Sequence, residues 1–270
     1  MEITKIPNIS GGQDGAIWKD YIFRFGTYGK CTVHKIGGSF EAISEFDLDK
    51  VETLKPHSNA VQFGSEYFED GDEFPLLYTN IYNNYANAEN KLKGVCLAYR
   101  ITRDGDNFTS KLVQVITVDF VEDDLWKSGD DVRPYGNFVI DRDKNRMYAF
   151  TMRDKDKVCR YFAFPLPKLS DGEQVLLKKE DVIEYFDCPY HFFIQGATCY
   201  KGKIYSAEGF ANNSEKAPAL RIIDLDKKEQ IYHVNLLEKG YVEEPEFIDF
   251  DENGTCYYSD ANGNLYKVEF

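Results

Sequence analysis

Apolar and aromatic residues recur along the chain in short runs separated by turn-forming residues, and no stretch carries a helical period for more than a turn. The pattern is clearest over residues 192–225. A β-rich run at 197–200 meets the tight turn Lys201-Gly202 and is followed by a second run at 203–207. A polar, Asn-rich loop then leads to a third run at 220–225. The stretch predicts an antiparallel meander of three strands. Helical turns have room only at 125–127 and 179–183.

The third run of this meander recurs. Its copies are Cys31-Thr32-Val33-His34-Lys35-Ile36, Cys96-Leu97-Ala98-Tyr99-Arg100-Ile101 and Cys159-Arg160-Tyr161-Phe162-Ala163-Phe164. Leu220-Arg221-Ile222-Ile223-Asp224-Leu225 and Leu265-Tyr266-Lys267-Val268-Glu269-Phe270 complete the set. Each opens on Cys or Leu and closes on Ile, Phe or Leu. Second strands align at 22–25, 76–79, 147–150, 204–207 and 256–259, and first strands at 16–18, 60–63, 138–141, 197–200 and 247–250. The turns between them, Lys19-Asp20, 142–145, Lys201-Gly202 and 251–254, carry turn chemistry. In the second unit the turn grows to 64–74.

An outer strand follows at 41–46, at 111–118, at 175–178 or 182–186, and at 230–235. The fifth unit has none before the chain stops at Phe270, but residues 2–6 form a spare strand ended by Pro7. Five imperfect copies of one meander mark a repeat architecture. The expected fold is all-β: a five-bladed β-propeller whose N-terminal strand completes the last blade and hides its open edge. The blades fall at roughly 11–50, 57–120, 133–187, 192–239, and 244–270 plus 1–6, in one domain spanning 1–270.

Composition agrees. Nineteen tyrosines and 20 phenylalanines against three methionines suit pleated, half-buried surfaces. A net charge of −14 disfavours nucleic acid and anionic lipid as partners. No apolar run is long enough for a membrane helix and no signal peptide is visible, so the expectation is a soluble cytoplasmic monomer. Cys31, Cys96, Cys159, Cys188, Cys199 and Cys256 form no CxxC pair or zinc spacing, and read as buried, reduced thiols. No cofactor or metal site is expected, although the channel has room in principle for a bound cation.

In a propeller the segments leading into the first strands converge on one mouth. Here they are Gly12-Gln13-Asp14, His57-Ser58-Asn59, residues 133–137 and 193–196, and Glu244-Pro245-Glu246. Convergent polar groups at a concave site are the default ligand site; the bland alternative is that they bond neighbouring backbone. Asp14, His57 and Glu246 are the candidates for acid–base work. Gln13, Asn59, Arg133, Tyr135, Gln195 and His191 are the candidates for ligand contact, with His191 on a loop above the mouth. Glu244 could join the acids, and acids at such a mouth often pair with an arginine such as Arg133. His34 and His233, within outer strands, read as structural. Asn80, Thr151, Glu208 and Asp260, which end second strands, are expected on the opposite rim unless the strand order tilts them inward.

Two families resemble parts of the chain. Residues 13–27, with Asp14 ahead of Ala16-Ile17-Trp18-Lys19-Asp20 and Phe23-Arg24-Phe25-Gly26-Thr27, resemble the first-blade motif of arabinanase/xylosidase-type five-bladed glycosidases. That resemblance implies Asp14 as catalytic base; the next blade carries His57-Ser58-Asn59 where the family has an acid. Residues 193–225, through Phe193-Ile194-Gln195-Gly196 and Ile204-Tyr205-Ser206-Ala207-Glu208-Gly209, resemble a repeat of plant-type glutaminyl cyclases. The reading for function is a small-ligand protein, a hydrolase or lyase acting on a hydroxylated, sugar-like substrate at the channel mouth. The alternative is a non-enzymatic interaction scaffold using long loops and an acidic rim.

Overall fold

The computed structural model describes residues 1–82, 91–130, 132, 133, 137–191 and 193–270. Five small sheets, antiparallel within each blade's own meander, form a five-bladed β-propeller. Blade one holds β2 (Gly15–Trp18), β3 (Tyr21–Phe25), β4 (Lys30–Lys35) and β5 (Ala42–Asp47). Blade two holds β6 (Val61–Phe63), β7 (Leu77–Asn80), β8 (Val95–Asp104) and β9 (Asn107–Val118). In blade three, β10 (Asn137–Asp141), β11 (Arg146–Arg153) and β12 (Val158–Pro165) are completed by β14 (Glu184–Pro189). Blade four runs β15 (Ile194–Tyr200), β16 (Lys203–Glu208), β17 (Ala219–Asp224) and β18 (Glu229–Asn235).

Blade five has β19 (Pro245–Phe250), β20 (Cys256–Asp260) and β21 (Leu265–Glu269), and β1 (Glu2–Ile6) closes it. Strand β1 pairs antiparallel with β21 from Glu2↔Glu269 to Ile6↔Leu265, so the open edge is covered as expected. Between β15 and β16, Lys201 and Gly202 both take positive φ (47° and 70°), which matches the twist of a tight hairpin.

The two candidate outer strands of the third unit are both strands. Residues of β14 complete blade three, whereas β13 (Gln174–Leu177) crosses over and pairs parallel with β9, giving blade two a fifth strand. That crossover stitches neighbouring blades together outside the ring. The single helical turn α1 (Val51–Leu54) was not expected, and a 3-10 turn occupies Lys179–Asp181, inside the stretch expected to hold one.

Burial falls from the axis outward. Strands β6, β10 and β19 are buried at every position, while β1 and β18 alternate with exposed residues. Five apolar clusters fill the seams, one between each pair of adjacent blades. Cys31, Cys96 and Cys159 sit in three different clusters, and all six cysteines are buried free thiols.

First strands of a propeller have an inner edge that no strand pairs, so the backbone groups there need other partners. Side chains supply them here. Asp14 Oδ2 accepts from the Val61 amide at 2.9 Å and the Ala197 amide at 3.3 Å. Gln62 accepts from the Ile140 amide at 2.8 Å and donates to the Cys199 carbonyl at 3.1 Å. Asp249 accepts from the Ile17 amide at 2.7 Å and the Thr198 hydroxyl at 2.8 Å. Each of these side chains ties its own blade to two others across the axis.

Candidate functional site

Because a first and a second strand form an antiparallel hairpin, the second ends beside the point where the first begins. Ile194 pairs with Glu208 and Pro245 with Asp260. The expectation that Asn80, Thr151, Glu208 and Asp260 lie on the opposite rim is therefore wrong: they return to the same rim as the leading segments. Asn80 shows the consequence. Its carbonyl accepts from the Asn59 amide at 3.1 Å, and its amide group donates to the Asn59 side chain and, at 2.8 Å, to Asn137.

On that rim a cavity of about 270 Å³ opens. One wall is polar, made by Gln13, His57, Asn59, Gln195, Glu244 and Glu246. The other is aromatic, made by Tyr82, Phe193 and Phe210, the last two with ring centroids 5.1 Å apart. Gln195 donates to the Gly209 carbonyl at 3.3 Å and to the Glu244 carboxylate, which fixes the orientation of its amide. Gly196 must be glycine, since a Cβ would lie 2.2 Å from the Glu246 carbonyl oxygen.

The electrostatics follow from burial. Burial drives the His57 imidazole down to about 4, so the ring is neutral at pH 7 and lies 5.4 Å from the Tyr82 ring. Burial pushes Glu246 well above the usual carboxylate range, against the pull of Arg24. Glu244, half-buried, is raised by the same cause. Asp14, fully buried just below the mouth, is likewise raised by burial against its backbone hydrogen bonds.

Beneath these acids lies Arg24, a residue the sequence reading passed over. It is 1% exposed, donates to the carbonyls of Gly12 (3.0 Å) and Asp260 (3.2 Å), and stands 5.6 Å over the Phe247 ring. Burial lowers it to about 10, while Glu246, Asp14 and Asp260 hold its charge in place. Arg24 Nε and Nη1, Asp14 Oδ1 and Glu246 Oε2 have no hydrogen-bond partner among the described residues. The positive charge at the channel entrance is thus the protein's own. Among the described residues no group of three or more His, Cys, Asp or Glu side chains is set to hold a metal ion.

The structure brings Gln13, His57, Asn59, Gln195 and Glu246 together around one cavity and sets Asp14 directly beneath it. Arg133 is elsewhere: its guanidinium is 3.7 Å from Asp154, and it does not line the cavity. Tyr135 lies outside the described residues, as does Phe192.

His191 does not hang above the mouth either. It is 2% exposed in the seam between blades three and four, where its Nδ1 is 2.8 Å from Glu208 and its Nε2 is 3.1 Å from the Tyr161 hydroxyl. Burial opposes a charge on this ring, but the Cys159 sulfur and the Glu208 carboxylate outweigh it and lift His191 to about 9. The same His191, with His233 and Arg221, holds Glu208 far below the usual range despite its burial. His233, read as structural from its outer strand, stands 3.3 Å from Glu208.

No protein-family model matches the chain, and no curated protein does. The glycosidase and glutaminyl-cyclase resemblances therefore have no family match behind them. Among solved structures the chain is similar to the crystal structure of the computationally designed Ika8 protein, at 10% identity over 98% of this chain and 99% of that one, with a TM-score of 0.38. It is also similar to hydrazine synthase of Kuenenia stuttgartiensis, at 10% identity over 79% of this chain and 49% of that one, with a TM-score of 0.36. Among the described residues no helix is long and apolar enough to cross a membrane.

Proposed function

We propose that the protein binds a small, neutral, hydroxylated ligand of the sugar type at the mouth of its ring, acting as a monomer. One observation carries this reading: a single cavity faces amides, a neutral imidazole and two carboxyls on one side and three aromatic rings on the other. Sugar hydroxyls both donate and accept, which matches amides and imidazole, and the C–H faces of a sugar ring pack on aromatic surfaces. Glu244 and Glu246, within a chain of net charge −14, disfavour an anion.

In its catalytic form the proposal makes the protein a hydrolase or lyase. Glu246, whose proton is retained by burial, would donate to the leaving oxygen. Glu244, half-buried at the cavity wall, would serve as the base, because Asp14, the position the glycosidase resemblance implies, is fully buried beneath the mouth with Oδ2 held by the Val61 and Ala197 amides, and His57 would orient a hydroxyl. Glycoside hydrolysis needs such a pair of carboxyl groups.

The test is a thermal-shift screen of mono- and oligosaccharides, polyols, amino acids and nucleotides, followed by assays of aryl glycosides with any sugar that raises the midpoint. Stabilisation by sugars alone supports the binding reading, and aryl alcohol release lost in Glu246→Gln supports the catalytic one. Stabilisation by nucleotides or by nothing in the set rejects both.

A protein-interaction scaffold is the second reading, favoured by the exposure of Leu176 (51%), Ile183 (46%) and Tyr185 (50%) on outer strands and their connection. Cross-linking to a partner that is lost in Leu176→Ser/Ile183→Ser would support it.

A further inference from the structure

The seam between blades three and four holds a second cavity, of about 250 Å³, that the mouth does not use. Its floor is an ion cluster. Arg221 donates to Glu208 through Nη2 at 2.8 Å and Nε at 3.3 Å. His191 and His233 approach the same carboxylate at 2.8 and 3.3 Å. Arg221 and Glu208 are 5% and 3% exposed, while the His233 side chain is 40% exposed at the open side. The segment Gly209-Phe210, anchored by the Gly209 amide on the Phe193 carbonyl at 3.1 Å, separates this cavity from the mouth.

The charges do not balance. Glu208 supplies one negative charge, and Arg221 alone would neutralise it. Two imidazoles are added, and the Glu208 carboxylate 2.8 Å from the His191 ring favours its charged form. Both Glu208 oxygens are fully engaged, yet Nη1 of Arg221 carries no hydrogen bond to any described residue. Arg221 is 5% exposed overall and lines the cavity with Nη1 unused by any described residue, and a guanidinium edge presented to a cavity in this way is an anion subsite. Of the acids near the opening, Glu215 lines it from the exposed loop above, while Glu238 bonds the lining Asn235 at 3.3 Å and Asp154 bonds the Tyr190 hydroxyl. The remaining lining is the Tyr190 ring with Ala217 and Ala219, which suits a small apolar or planar body, and the polar Ser214 and Asn235. At ~30 Å³ per water, the space equals roughly eight waters, a small molecule.

We propose that this seam cavity is a binding site for a small organic carboxylate, held through its carboxylate by Arg221 and His233, with its body against Tyr190 and the two alanines. Glu208 is the positioning residue that orients both side chains. The site is independent of the mouth and of any activity there.

Calorimetric titration with acetate, lactate and benzoate, set against acetamide, benzamide and inorganic phosphate, tests it directly. At least one carboxylate should saturate with Kd on the order of 1 mM or tighter, and its amide should not bind. Ser214→Trp, on the exposed loop over the opening, should abolish binding. His233→Ala, which removes a half-exposed side chain and should keep the unfolding midpoint, should weaken it about tenfold. Arg221→Gln can fail to fold, so the proposal stands on the other two variants. Saturation by phosphate alone, carboxylate binding unchanged in Ser214→Trp and His233→Ala, or no saturable carboxylate binding would overturn the assignment.

Discussion

The His191–Glu208 pair makes a prediction whose sign and size both follow from the structure. His191 is 2% exposed and packed by Glu208, Arg221, His233, Tyr161 and Cys159 at the floor of the seam cavity. Its folded value of about 9 lies above the ordinary 6.5, so the folded state holds a proton that the unfolded chain releases. The stability this contributes is complete below pH 6.5 and is lost as pH rises through 9. At 1.36 kcal/mol per pH unit the gap corresponds to about 3 kcal/mol, with roughly half lost between pH 6.5 and 8.

That narrower window isolates it. His34 and His57 are lowered by burial, so their effect has the opposite sign and is finished below about pH 6.5. The buried thiols begin to weigh only above about pH 8.5, where the unfolded chain ionises them. Urea unfolding of the wild type and of His191→Gln, at pH 6.5 and 8, reads the difference. The wild type should lose on the order of 1 kcal/mol more than the variant over that interval. Parallel losses in the two proteins would refute the ion pair.

Two further predictions concern the ring and its seams. Removing residues 1–6 strips five paired residues and the half-buried Met1, Ile3 and Ile6 from blade five. This should cost on the order of 3 kcal/mol and promote association through the bared edge of β21, seen as a lower unfolding midpoint and light-scattering growth; an unchanged, monodisperse protein would contradict closure by β1. Cys31, Cys96 and Cys159 should react slowly with a thiol reagent in the native protein, since all three are buried and burial pushes the Cys31 and Cys96 thiols up. Mass spectrometry that finds any of them in a disulfide would contradict the seam assignment.

Much of the fold was legible because a propeller repeats its most regular strand. The five third strands share an opening Cys or Leu and a closing apolar residue, and the structure places each as the third strand of its sheet. The outer strand of blade three was ambiguous because both candidates are real strands. No periodicity tells which sheet a strand joins, and β13 joins its neighbour's.

The site was half legible. Leading segments are named by position, so Gln13, His57, Asn59, Gln195 and Glu246 were found together. Arg24 was not, although a signal existed: Phe23-Arg24-Phe25 puts an arginine inside a buried second strand, where only a counter-charge from across the ring makes it tolerable. Glu208 and Asp260 were misplaced for want of one elementary step, that a hairpin's second strand ends where its first begins. Arg133 and His191 were drawn toward the mouth by position in sequence, but their charged partners Asp154 and Glu208 lie away from it.

The central claim is that the mouth recognises a ligand through side chains the fold does not need, and one paired measurement tests it. Gln195→Ala and His57→Gln are compared with wild type for unfolding midpoint and for affinity toward the best sugar from the screen. Gln195 bonds Gly209 and Glu244 at the cavity wall, and the neutral His57 ring lines the same cavity, so neither change removes apolar core or a counter-charge. Midpoints should shift little, while affinity falls by about 1–3 kcal/mol, the cost of leaving a buried polar partner unmade. Early unfolding of both variants with sugar affinity intact would mean that these residues hold the ring together and recognise nothing.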